Sequence, residues 1–320
     1  MRRLLLAAVF LATTGSVLAQ DKAVEFTTIQ LSETVYMLKG RGGNVGISNG
    51  EDGLYIIDDQ VKPITAELLK AIRKISHKPI RFVINTHYHA DHTGGNETIG
   101  GAGSLIIAHD NIRKRMATTQ VNIFQKQTTP PYAKDALPVV TFNDRLSLHF
   151  NGETATAYHV ANGHTDGDSI IHFPVSNVIH MGDMYFNGLY PYVDLDAGGS
   201  LQGMVEAADL ALSMADESTR IIPGHGPLAM AEDLKIYRDF LIKASANVQE
   251  LIDQNMSLEE IIATEPTREW DGTLGKIWIT PPQFVTFIYN SLEDIHHYTP
   301  PAEPEPEAES EEAEPEVSQE

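Results

Sequence analysis

Cysteine is absent from this chain of 320 residues. Without it there is no disulfide and no lipid-modified cysteine, so the stability of the folded protein has to come from its core. Positive charge is also scarce: 23 lysines and arginines stand against 44 aspartates and glutamates, a formal net charge of −21. Such a surface repels a phosphodiester backbone, and no basic stripe interleaved with aromatics counters it, so nucleic acid is not an expected partner. Long apolar runs are missing as well. No segment approaches the roughly 20 apolar residues of a bilayer-spanning helix, so no membrane partner is expected. No feature singles out an obligate protein partner.

The two ends are set apart by composition. Residues 1–19 open with Arg2-Arg3, continue with the apolar run Leu4 to Ala12 and close with Val17-Leu18-Ala19 before Gln20-Asp21. That is the three-part layout of a secretory signal peptide, with cleavage expected after Ala19 and the mature protein exported, to a bacterial periplasm. Residues 299–320 repeat Pro, Glu and Ala with no apolar periodicity. Such a tail buries too little surface to offset the entropy of ordering and is expected to be disordered. Residues 20–298 remain as one folded unit. Excluding the nine acidic residues of the tail and the two leader arginines, 35 acidic and 21 basic residues are left, a net of −14.

The most informative stretch is Thr86-His87-Tyr88-His89-Ala90-Asp91-His92-Thr93-Gly94-Gly95-Asn96, which packs four potential metal ligands into six residues at the end of a predicted strand. Imidazole with carboxylate suits zinc and similar divalent ions, and the short alternate spacing lets His87 and His89 face one metal while Asp91 and His92 turn toward another. Three further candidates, His164, Asp183 and His225, each follow an apolar strand and sit beside glycine. A single histidine among thirteen is usually just a hydrogen-bonded residue. The clustering is what points to a metal site.

At these residues the chain resembles the metallo-β-lactamase superfamily. His87-x-His89-x-Asp91-His92, then His164, Asp183 and His225, match that family's ligand pattern in order, and Asp58, ending the strand Gly53 to Asp58, matches its first motif. The resemblance covers about Val24 to Leu292. It implies a four-layer αββα sandwich of the metallo-β-lactamase type. It also implies two zinc ions, one held by His87, His89 and His164 and the other by Asp91, His92 and His225, with Asp183 bridging. Asp58 would then hydrogen-bond and position the ligand loop.

The pattern of elements agrees with that α/β architecture. Strands are predicted over Thr34 to Leu38, Asn44 to Ser48, Leu54 to Asp58, Ile80 to Ile84 and Ser104 to Ala108, with helices over Pro63 to Ile75 and Asn111 to Ala117. A second series of strands follows over Val139 to Phe142, Leu146 to Phe150, Thr154 to Val160, Ser169 to Phe173, Val178 to Met181 and Arg220 to Ile222, with helices over Leu201 to Ala215, Ala229 to Asn255 and Pro282 to Leu292. Two sheets packed face to face and covered by helices accommodate both series. The loops Gln120 to Pro138 and Tyr185 to Ser200 are expected to shape a substrate pocket, with Tyr185, Tyr190 and Tyr192 lining it or pinning the loop to the body. The glycine-rich hairpin Leu38 to Asn44 is short where several β-lactamases of the resembled family carry a longer hydrophobic flap over the substrate, so the resemblance implies a more open site.

The chemistry that the resemblance implies is hydrolysis by a metal-bridging hydroxide, with Asp91 orienting the nucleophile and passing its proton to the leaving group. The expected substrate is a cyclic amide or ester, β-lactam first. A carboxylate at Asp183, where the best-known β-lactamases carry Cys or Ser, looks more like a lactonase or a glyoxalase II-like thioesterase. The alternative from another class is an iron-dependent, persulfide dioxygenase-like oxidoreductase.

Overall fold

The computed structural model describes residues 24–300. The expected signal peptide, and the expected tail beyond Pro300, lie outside the described residues.

Two sheets frame the molecule. β1 (Thr27–Gln30), β2 (Val35–Lys39), β3 (Val45–Gly50), β4 (Gly53–Ile57), β5 (Ile80–Ile84) and β6 (Leu105–His109) are consecutive neighbours in one sheet. A separate hairpin of β7 (Gln120–Asn122) and β8 (Gln127–Thr129) follows, and β9 (Val140–Phe142) then completes the first sheet beside β6. The second sheet runs in sequence order through β10 (Arg145–Phe150), β11 (Glu153–His159), β12 (Ser169–Phe173), β13 (Val178–Phe186), β14 (Arg220–His225) and β15 (Ala229–Met230).

Alternation along the strands decides what each face meets. Tyr55 and Ile57 of β4 turn inward to pack with Ile171 and Phe173 of β12, which joins the two sheets. Leu54 and Ile56 turn outward, onto Leu68 and Ile72 of α1 (Thr65–Ile75). With both faces covered, β4 reads as an unbroken apolar run rather than an alternating one, and β13 is buried at every position. Two short helices, α2 (Ala90–Thr93) and α3 (Asn96–Gly101), and then α4 (Asp110–Met116), belong to the first half.

The outer face of the second sheet is covered by α5 (Leu201–Met214), α6 (Ala231–Asp253) and, after α7 (Leu258–Ala263) and α8 (Arg268–Leu274), by α9 (Pro281–Leu292). In α6 the buried residues Leu234, Tyr237, Leu241, Ala244 and Val248 recur at three- and four-residue spacing, so one stripe of a long polar helix meets the core. Each fully buried Leu, Ile or Phe contributes roughly 1.5–3 kcal/mol to holding these layers together. The result is the αββα sandwich.

Three expectations need correction. Val139 to Phe142 was expected in the second series, but β9 pairs in parallel with β6 and belongs to the first sheet. The loop expected from Tyr185 starts later, because β13 runs on to Phe186. Gln120 to Pro138 holds the β7–β8 hairpin instead of being strandless.

Pairing of β4 with β5, and of β13 with β14, is parallel. Their carboxyl ends, where an open α/β sheet offers a crevice to ligands, carry the chemistry-bearing residues. One irregularity aims a side chain there. The β13–β14 register shifts on either side of Gly182, whose φ of 53° lies in the left-handed region that favours glycine and whose added Cβ would lie 2.7 Å from the Thr86 side chain. This bulge turns Asp183 into the site.

Candidate metal centre

Asp58 follows β4 in a left-handed conformation with φ 61°, which an aspartate tolerates better than most residues. Its fully buried carboxylate accepts three hydrogen bonds: from Thr86 N to Oδ1 at 2.7 Å, and from Thr86 Oγ1 and His92 Nδ1 to Oδ2, each at 2.7 Å. A carboxylate only accepts, so His92 donates through Nδ1 and turns Nε2 toward the site.

The same logic fixes three other imidazoles. Thr86 Oγ1 spends its proton on Asp58 and can then accept from His87 Nδ1 at 3.1 Å, which frees His87 Nε2. The Tyr192 carbonyl accepts from His164 Nδ1 at 2.8 Å, which frees His164 Nε2. Asp194 accepts from His89 Nε2 at 2.8 Å, so His89 presents Nδ1 instead, 2.9 Å from His164 Nε2. Each ring is oriented by a fixed acceptor behind it.

The free atoms gather in two groups. His87, His89, His164 and Asp183 form one, and Asp91, His92 and His225 the other; within each, the potential ligand atoms lie within 4.8 Å of one another. Asp183 stands between them. Its Oδ1 is 3.0 Å from His92 Nε2, and its Oδ2 is 3.3 Å from His225 Nε2, 3.7 Å from His164 Nε2 and 3.8 Å from His87 Nε2. Glycines make room for this approach: a Cβ on Gly224 would sit 2.0 Å from Asp183 Oδ1, and one on Gly43 would sit 2.2 Å from His92 Cε1.

The donor set fits divalent cations. His87 Nε2, His92 Nε2 and Asp183 Oδ1 are buried and have no hydrogen-bond partner, an arrangement that costs desolvation unless something satisfies them. Imidazole nitrogen with carboxylate oxygen is the chemistry of zinc and its neighbours in the periodic table. Charge points the same way. Burial opposes ionisation of Asp183, yet His225, His92 and His87 outweigh it and hold its pKa well below the usual carboxylate range. Burial likewise raises Asp91, but His92 and His225 bring it down to about 2. Burial disfavours charge on His225 too, and Asp183 and Asp91 nevertheless raise it to about 10. The anions thus demand positive charge at the centre, which protons and metal ions compete to supply.

Two cavities open from this floor. One of about 1010 Å³ is bordered by Asp91, His225, Tyr132 and Trp278, and a smaller one of about 250 Å³ by His89, Asp91, Asp183, His225 and Tyr192.

Residues 38–225 match the sequence model of the metallo-beta-lactamase superfamily. The chain belongs to that superfamily. Its members bind metal ions and are typically metal-dependent hydrolases. Solved structures agree on the fold. A metallo-β-lactamase from Pontibacter korlensis is 19% identical and aligns over 68% of this chain and 99% of its own, with a TM-score of 0.55. The DIM-1 metallo-β-lactamase is 18% identical over 69% of this chain and 99% of its own, at 0.54. The stereoselective inverting sec-alkylsulfatase Pisa1 from Pseudomonas sp. is 18% identical over 83% of this chain, at 0.62, although the alignment spans only 50% of that longer protein.

The seven residues that suggested a metal site in the sequence of this metallo-β-lactamase-superfamily chain are all brought together, with Asp58 directly behind them. The three tyrosines separate. Tyr192 lies in the wall, its ring centroid 5.8 Å from that of His89 and 5.4 Å from that of His164. Tyr190 is away from the cleft: it stacks on Phe284 at 4.4 Å and donates to Asp271 Oδ1 at 2.6 Å. Tyr185 packs on Tyr237 under α6, at 4.8 Å. Three site residues went unread in the sequence: Asp194, Trp278 and Asn122. Asp194, fully buried, accepts from both His89 and Tyr88 Oη, each at 2.8 Å. Its place two residues after Tyr192 was the available signal, but only the folded loop shows which ring it meets.

Proposed function

We propose that this protein is an exported zinc-dependent hydrolase that opens a cyclic amide or ester, with β-lactam as the leading substrate and a lactone or thioester as the alternative. One observation carries the reading: two His/Asp groups share Asp183 at the floor of a cleft large enough for a small-molecule substrate. His87, His89 and His164 would hold one zinc ion, and Asp91, His92 and His225 the other, with Asp183 between. Zinc there would supply Lewis acidity toward a carbonyl oxygen and lower the pKa of water.

The protein's own groups do the rest. Asp91 is the candidate catalytic carboxylate. Its side chain is 29% exposed, where Asp183 is nearly sealed, and it borders both cavities, so it can reach a substrate and a water molecule together. With a pKa near 2 before metal binds, it is ionised across the neutral range and able to orient an attacking water. It can then carry a proton to the departing nitrogen, oxygen or sulfur. Trp278 and Tyr132 offer apolar surface on which a ring can rest.

A panel of β-lactams, lactones, thioesters and alkyl sulfate esters, run on mature protein of measured metal content, tests the reading. Alkyl sulfates are included because a sec-alkylsulfatase shares the fold. Cleavage of β-lactam or lactone by protein carrying zinc supports the proposal. Iron in the purified protein, with oxygen uptake on persulfide and no hydrolysis, supports the oxidoreductase alternative in its place.

A further inference from the structure

We propose that the bond attacked at this site lies between an apolar part and an uncharged hydrogen-bonding part of the substrate, a refinement that rests on the hydrolase reading above. The two cavities differ in chemistry and meet at Asp91, His225 and Trp278, which border both. The larger alone is walled by Pro63, Ile64, Pro130 and Pro131, residues that offer a substrate little but apolar contact. Its rim charges include Lys62, which is paired with Glu97 at 2.5 Å.

The smaller cavity is walled on one side by the β7–β8 hairpin, which contributes Gln120, Asn122, Gln125 and Gln127. Four carboxamides on one side of the cavity can bond hydroxyl or amide groups in both directions and bring no charge of their own. Two of the four are already engaged. Gln120 binds Arg115 and Thr118, and the Asn122 amide donates to Tyr192 Oη at 2.6 Å. The side chains of Gln125 and Gln127 have no hydrogen-bond partner among the described residues and are exposed at the mouth, free to bind a ligand. A substrate with its scissile bond over Asp91 and His225 therefore extends its apolar end toward Pro130 and Pro131, and a neutral polar end toward Gln125 and Gln127.

One cation complicates this picture. Arg41 borders the larger cavity with no partner among the described residues, and it would favour an anionic head group instead.

Calorimetric titration of zinc-reconstituted full-length protein with hexyl glucoside, hexanol, glucose and hexyl sulfate separates these cases without requiring turnover. Hexyl glucoside is expected to bind at least about tenfold more tightly than hexanol or glucose, in line with two subsites acting through one linked ligand. Gln125→Leu with Gln127→Leu, both on the exposed hairpin, should bring the glucoside to the level of hexanol and leave hexanol unchanged. Ala133→Asp, at an exposed position of the larger cavity, should weaken glucoside and hexanol alike. Hexyl sulfate binding more tightly than the glucoside, or glutamine variants without selective effect, would overturn the proposal. If binding follows the expected pattern while no ester, lactam, lactone or thioester is cleaved, the hydrolase reading fails and the two-part ligand site stands.

Discussion

Asp58 Oδ2 lies 2.7 Å from His92 Nδ1, and on the far side of that ring His92 Nε2 faces Asp183 Oδ1 at 3.0 Å. The first motif of the chain thus acts on the centre through an imidazole. Changing Asp58 to Ala removes the acceptor that fixes the ring and strands Thr86 N, Thr86 Oγ1 and His92 Nδ1 in a buried setting. Zinc affinity measured by chelator competition should fall about 10- to 100-fold, as it does when such supporting carboxylates are lost elsewhere. Unchanged affinity would show that the ring is held by packing alone.

Tyr190 tests the division among the tyrosines. Its hydroxyl donates to Asp271 Oδ1 at 2.6 Å, with the Thr267 carbonyl 3.2 Å away, and none of the metal ligands is among its hydrogen-bond partners. Tyr190→Phe should cost about 1 kcal/mol of folding stability through lost hydrogen bonding and leave metal content and turnover unchanged. Denaturant unfolding and elemental analysis of the same preparation read both. A fall in zinc content would return this residue to the site.

His109 gives the fold a pH dependence of its own. Its ring lies flat on His159, with centroids 3.7 Å apart and planes 7° apart, and burial together with His159 lowers its pKa to about 4. The unfolded chain, with a histidine pKa near 6.5, takes up this proton more readily than the folded protein does. His109 therefore contributes stability that is present above pH about 6.5 and lost as the pH falls through about 4. His109→Phe keeps a ring against His159 but cannot titrate. The difference in melting temperature between parent and variant should shrink in the parent's disfavour on acidification from pH about 7 to pH about 4. A difference independent of pH would mean that the stacked ring is not a titrating group.

Much of this was legible in the sequence, for physical reasons that can be named. Leu54 to Ile57 read as a strand because burial on both faces demands an unbroken apolar run, and Val178 to Met181 because three of its four residues are apolar. His87, His89, Asp91 and His92 stood out because short spacing at a strand end brings ligands together with little help from the rest of the chain. Long-range pairing was harder to read. Nothing near Asp194 announces that it will bond a ring 105 positions earlier. The three-residue strand β9 has no local feature that assigns it to the first sheet rather than the second. Tyr190 and Tyr192, two residues apart, look alike in sequence, and only the packing of α8 and α9 sends one into the core while the other meets His89 and His164.

The most direct test is the metal stoichiometry of zinc-reconstituted protein, read together with Asp183→Asn and hydrolysis of the best substrate from the panel. The shared position of Asp183 predicts about two zinc ions per chain in the parent, because seven ligand side chains exceed what one tetrahedral ion uses. In the variant it predicts loss of about one of them and a fall in turnover far larger than the fall in melting temperature, since a neutral amide offsets the repulsion between two dications poorly. A parent that holds a single zinc ion, or an Asp183→Asn protein that keeps two and a near-normal rate, would contradict the account.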